Sequence, residues 1–85
     1  MKLNPVAMLR EEPDGSGILF DPDHNRALTV NPAGVAVWNC IASGGSPADA
    51  AAELLRKFRG VTPEQAERDV AAFLAEMREK SLLFD

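Results

Sequence analysis

Apolar positions recur along this chain with two different periods, and the change falls at Asn31-Pro32. Upstream lie three short apolar runs, residues 6–9, 18–20 and 27–30, the last alternating as a strand does. The first two are separated by EEPDGSG and the next two by DPDHNR. Pro13, Asp14 and Gly15 supply the fixed φ, local side-chain bonding and positive φ that turns demand. Short loops between short strands predict antiparallel hairpins in the order one, two, three, with strands one and three as edges.

Beyond Val30 three segments open alike, at Asn31-Pro32, Ser46-Pro47 and Thr62-Pro63. A small polar residue accepts a bond from an orphan N–H of the first turn, and the proline after it has its φ preset and no N–H to leave unpaired. Each pair predicts a helix start. Thr62 with Gln65 forms a capping box, with Val61 placed to staple on Ala66, and Ser46 with Asp49 is a weaker version. Helix 1, about 32–43, carries Val35, Trp38, Ile41 and Ala42 on one stripe with Val37 and Cys40 beside it, so it is apolar nearly all round. Helix 2, about 47–59, is expected to pack Ala48, Ala51, Leu55 and Phe58 inward and to end in a cationic turn before Gly60, the C′ glycine. Helix 3, about 63–80, presents Ala66, Val70, Phe73, Leu74 and Met77 on one face and Glu64, Glu67, Arg68, Glu76, Glu79 and Lys80 on the other.

The expected architecture is α+β and winged-helix-like, a three-stranded antiparallel sheet followed by three helices, βββααα. Eighty-five residues make one domain, 1–85, and one compact core.

Composition narrows the function. Nine basic against thirteen acidic residues give a net charge of −4, which repels a polyphosphate unless the cations gather on one face, so nucleic acid is a poor partner. Residues 27–48 carry no charge, but asparagines, glycines and prolines interrupt them well short of the roughly 20 apolar residues a membrane span needs. The single cysteine, Cys40, has no internal partner, and MKLNPVAMLREE lacks an apolar signal core, which together lead to the expectation of a cytoplasmic protein.

Catalytic and metal chemistry find little support. Asp21, Asp23 and Asn25 stand where an EF-hand places its first ligands, but Arg26 and Pro32 occupy the positions that need Gly and a bidentate Glu. A hairpin loop with Asx bonding explains DPDHNR better. His24 has no second imidazole or thiolate near it and reads as a surface loop residue. Cys40 reads as an inert thiol, Glu11-Glu12 as a solvated pair, and Gly44-Gly45-Ser46 as an interhelix turn rather than a phosphate cradle. No catalytic residue, metal or cofactor is expected, and the protein is expected to bind rather than to catalyse.

The runs LREEPDGSGILFDP, VNPAGVAVW, DVAAFLAEM and SLLF, in that order and spacing, resemble the PqqD family over residues 6–84. These are small chaperones and recognition domains for the leader peptides of ribosomally made, post-translationally modified peptides. Asn31 matches the family's Asn closing strand 3, Trp38 its helix 1 tryptophan, and Asp69-Val70 with Phe73-Leu74 its helix 3 signature. Ser43-Gly44-Gly45 stands where the family often has Asp-Gly, and Ser81 where it often has Gly.

The resemblance implies that a leader segment adds as a strand to the edge of strand 3, Ala27, Leu28, Thr29 and Val30, in a groove lined on helix 3 by Ala66, Asp69, Val70, Phe73 and Met77. It implies a peptide-modifying enzyme, often a radical SAM protein, as second partner. An edge strand offers unpaired main-chain groups for affinity, and pockets for alternate side chains give specificity. Two other readings remain at this point: a winged-helix DNA binder, and a self-associating module in which strand 3 or helix 1 pairs with a second copy as a homodimer.

Overall fold

The computed structural model describes residues 1–85. In chain order it contains β1 (Lys2–Leu3), β2 (Met8–Glu11), β3 (Gly17–Asp21), β4 (Arg26–Val30), α1 (Pro32–Ala42), α2 (Pro47–Lys57), α3 (Pro63–Glu79) and β5 (Leu83–Phe84). β2, β3 and β4 form an antiparallel meander in that order, followed by three helices, an α+β fold. The register aligns Leu9, Leu19 and Leu28 on the face that packs on the helices. Met8, Phe20 and Ala27 align on the opposite, solvent-facing side, where Arg10 lies over the Phe20 ring at 5.6 Å.

Two features at the termini depart from the sequence pattern. The first strand starts at Met8 rather than Val6, because Asn4 turns the chain there: its Oδ1 accepts the Val6 N–H at 3.1 Å and its carbonyl accepts the Ala7 N–H at 3.1 Å. β1 and β5 pair with each other, Lys2 with Phe84 and Leu3 with Leu83, in strands too short to show a period.

The three Xaa-Pro caps form as the sequence predicts. Asn31 Oδ1 accepts from the Gly34 N–H at 2.8 Å, and the Ser46 and Thr62 hydroxyls accept from the N–H groups of Asp49 and Gln65. The reciprocal box closes at Ser46, whose own N–H is accepted by the Asp49 carboxylate at 2.9 Å; at Thr62 only the first bond is made. A carboxylate is the stronger acceptor, so the shorter acidic side chain completes the motif where the longer amide does not.

α1 is buried nearly all round, with Gly34 to Trp38 and Ile41 inside. α2 turns a different face inward from the expected one. Ala50, Ala51 and Leu54 are buried, whereas Ala48 and Leu55 are exposed and Phe58 caps the C-terminus half-buried. Both stripes satisfy helical spacing through Ala51 and Phe58, and the adjacent leucines 54 and 55 leave the rotation open by one residue. Gly60 takes φ +77°, but two residues beyond the cap. Ser81 holds φ +60°, a backbone setting glycine adopts without penalty.

Two contacts fix β4 against α3. At one end, Gly34 permits a close approach: a Cβ there would fall 2.6 Å from Val30 Cγ1 and 2.9 Å from Phe73 Cε1. At the other, Arg26 Nε donates to Asp21 Oδ2 at 2.8 Å while its guanidinium also reaches the Lys80 carbonyl. His24 Nδ1 lies 2.8 Å from the same Asp21 oxygen, so this histidine is an exposed loop residue, as expected, that also contacts the buried carboxylate. Asn4 ties the same loop to the segment after α3, donating to Asp23 Oδ2 at 3.1 Å and to the Ser81 carbonyl at 3.3 Å.

Substituting Gly34→Ala gains about 1 kcal/mol of helix propensity but forces an overpacked contact costing about 1–3 kcal/mol. A lower urea midpoint at unchanged slope is expected, and a midpoint at or above wild type would remove Gly34 as a packing constraint. Burial alone raises the Asp21 carboxyl, but hydrogen bonds from Arg26 and His24 outweigh it and hold its pKa below 3.8. A depressed folded value means that this contribution is present above the unfolded pKa and is lost as pH falls through the folded one. The stability gap between wild type and Asp21→Asn should therefore persist at neutral pH and narrow only below about pH 4; a gap constant down to about pH 2 would contradict it.

Candidate functional site

β4 has β3 on one side and no strand on the other, since β1 and β5 pair only with each other. Its unpaired edge follows from the chain path: Asn31-Pro32 ends the strand by starting a helix, so no fourth strand of the meander forms. Ala27 and Thr29 are exposed, Leu28 is half-buried and Val30 is buried. No lysine or proline lies between 27 and 30 to guard the edge against strand addition.

At the C-terminal end of this strand a groove of about 270 Å³ opens between the first turns of α1 and the middle of α3. Asn31, Ala33, Gly34 and Val37 form one wall, Asp69, Ala72, Phe73 and Glu76 the other, and Leu54 of α2 contributes from below. Because Gly34 has no side chain, the Phe73 ring sits directly against the first turn of α1. The charged groups lining the groove are both carboxylates. Glu76 accepts from Lys80 Nζ at 3.0 Å, and Asp69 makes no ion pair.

The sequence-predicted residues divide on this geometry. Ala27, Leu28, Thr29 and Val30 lie together along the unpaired edge. Asp69 and Phe73 line the groove. Ala66, Val70 and Met77 do not: they are 0%, 2% and 2% exposed and pack the core behind it. Of the apolar face read from the sequence, Ala66, Val70, Leu74 and Met77 face the core, and Phe73 lies at its margin, on the neighbouring stripe that the groove uses. Ala72 and Glu76, not singled out from sequence, belong to that second stripe with Asp69 and Phe73, at spacings of three, four and seven residues. Gly34 also went unmarked. Its signal was a glycine within the first turn of an otherwise apolar helix, where a close approach is the usual reason.

Chemically the site offers main-chain donors and acceptors, an aromatic surface and negative charge. No three His, Cys, Asp or Glu side chains converge where a metal ion would sit. The Cys40 thiol is half-buried, and burial together with the Asp49 and Glu53 charges pushes its pKa up, which favours the less nucleophilic protonated form.

No functionally curated protein matches the sequence. Two solved structures share the fold over nearly their whole length. TbiB1 in complex with the TbiA(beta) leader peptide superposes with a TM-score of 0.84 at 20% identity, covering 98% of this chain and 94% of that one. A lasso peptide synthetase B1 complexed with the leader peptide gives 0.83 at 25% identity, covering 99% and 96%. The family model of coenzyme PQQ synthesis protein D matches residues 16–83, a span that holds β3, β4 and all three helices. With that match over most of its length, the chain belongs to the PqqD family.

Proposed function

We propose that this protein binds the leader segment of a ribosomally made precursor peptide and presents it to a peptide-modifying enzyme. The leader adds as a strand to the free edge of β4, and its groove-facing side chains pack on Phe73 beside Asp69. The observation that carries this reading is an unguarded strand edge adjoining a groove with a half-buried aromatic ring in its wall. Support also comes from the two structural neighbours, each solved with a leader peptide. The second partner expected from the family is a radical SAM enzyme. In this reading Ala66, Val70 and Met77 hold the back of the groove in place without touching the peptide.

Magnitudes suit a carrier. About four main-chain bonds at roughly 0.5–1.5 kcal/mol each and two apolar anchors at roughly 1.5–3 kcal/mol each must offset the entropy of association and about 2–5 kcal/mol of peptide ordering. The gross gain of about 5–12 kcal/mol exceeds those costs only narrowly, so the complex is expected to dissociate in the range of tens of micromolar or weaker, weak enough for release to an enzyme. An empty edge also pairs with a second copy of itself, and the same surface thus supports a homodimer that peptide would displace.

Titrating ¹⁵N-labelled protein with the leader of a precursor encoded nearby should shift the amides of β4 and of residues 69–76; shifts confined to β2 would place the site elsewhere. Phe73→Ala should weaken that leader about ten- to hundred-fold while the amide spectrum stays dispersed. An unchanged affinity would exclude the ring as an anchor. Sedimentation should show a concentration-dependent dimer that the leader dissociates, and a dimer indifferent to the leader would assign self-association to another face.

A further inference from the structure

We infer that the leader segment this groove accepts carries a lysine or arginine facing α3, two residues from its apolar anchor. The inference rests on the strand-addition reading above and sharpens it to a class of peptide.

Asp69, Phe73 and Glu76 stand at i, i+4 and i+7 on one stripe of α3. At 1.5 Å per residue, the two carboxylates therefore flank the ring at about 6 and 4.5 Å along the helix axis. Both are exposed. No lysine, arginine or histidine lines the groove to neutralise them. Asp69 has no ionic partner, and the one partner of Glu76, Lys80, lies a turn further along the helix in a solvent-exposed pair that is readily exchanged. The protein as a whole adds a net charge of −4. An acidic side chain entering here meets repulsion from both ends of the ring.

A long basic side chain meets the opposite. Its methylene stem covers apolar surface while its head reaches polar groups. Here the stem would lie along Ala72 and Phe73, with the cation beside one carboxylate. Arginine gains further from stacking its plane on the ring and from paired bonds to a carboxylate. Strand geometry then sets the spacing. In an added strand alternate residues share a face and stand about 7 Å apart, close to the offset of about 6 Å between the Phe73 ring and Asp69 and within reach of Glu76 for a long side chain. The apolar anchor and the cation therefore fall two residues apart, while the residue between them faces outward, beside Thr29 where the cation meets Glu76 and past Val30 where it meets Asp69.

The probe is a displayed library of random dodecapeptides selected on the intact protein and on the Asp69→Asn/Glu76→Gln double variant. Both substitutions lie on exposed positions, and an unchanged melting temperature checks the fold. Wild type should enrich sequences with lysine or arginine two places from a bulky apolar residue, and the variant should keep the apolar preference and lose the basic one. Replacing the basic residue of the best peptide by glutamine should weaken binding about two- to five-fold per carboxylate at low salt, and not at about 1 M salt, where exposed charges are screened. Enriched peptides that shift the β4 amides but show no basic preference would overturn this inference and leave strand addition standing. Peptides that leave the β4 amides unshifted, or no enrichment at all, would overturn both.

Discussion

The contact at Gly34 sets the distance between an edge strand and the helix that faces it, and the geometry of the groove depends on that distance. Val30 closes β4, Gly34 lies in the first turn of α1, and Phe73 comes from the middle of α3; the two side chains approach the same point above the glycine backbone. A larger residue at position 34 would drive strand and helix apart. A looser contact would let the ring fold into the gap. The half-buried state of Phe73, partly seated and partly available, is a consequence of this one missing side chain.

The second strut works at the opposite end of the strand. Arg26 opens β4 and reaches the carbonyl of Lys80, just past the end of α3. Between the two struts β4 advances four residues, about 13 Å, and α3 retreats seven, about 10 Å, so strand and helix run roughly antiparallel with similar spans. Asp21 holds Arg26 in place from within the sheet, with its side chain wholly buried and one oxygen shared between Arg26 and His24. A buried carboxylate is tolerable only because those donors outweigh the cost of its burial. The hairpin loop thus acts as a fixture for the edge strand, which its sequence alone, a run of turn-forming residues, gives no reason to expect.

The parts legible in the sequence are those written in local chemistry. Asn31-Pro32, Ser46-Pro47 and Thr62-Pro63 mark all three helix starts because capping involves residues adjacent in the chain. Strand order followed from loop length. What escaped was set by contacts distant in sequence. The β1–β5 ribbon joins the two ends of the chain, and the face of α2 is decided by which of Leu54 and Leu55 meets the core. On α3, the apolar face holds Ala66, Val70, Leu74 and Met77, which pack the core, together with Phe73, which reaches the groove; the rest of the groove side, Asp69, Ala72 and Glu76, is mixed in character and carries no such signature. The family resemblance implies Ala66, Asp69, Val70, Phe73 and Met77 together, because a sequence signature records both packing and binding without separating them.

In the proposed binding mode, strand length explains why a groove would be needed at all. β4 has five residues, so an added strand pairs over about 16 Å and makes only a few main-chain bonds, each worth about 1 kcal/mol and each available to any extended chain. Such bonds fix orientation without selecting sequence. Selection must come from side chains, and strand alternation sends half of them over Ala27 and Thr29 onto the open face and the other half toward α3. Only the second set would meet the walls of the groove beyond Val30, with their aromatic ring and fixed charge. In the proposed mode a short bare edge and a narrow groove belong together: the first would accept any strand weakly, and the second would distinguish among them.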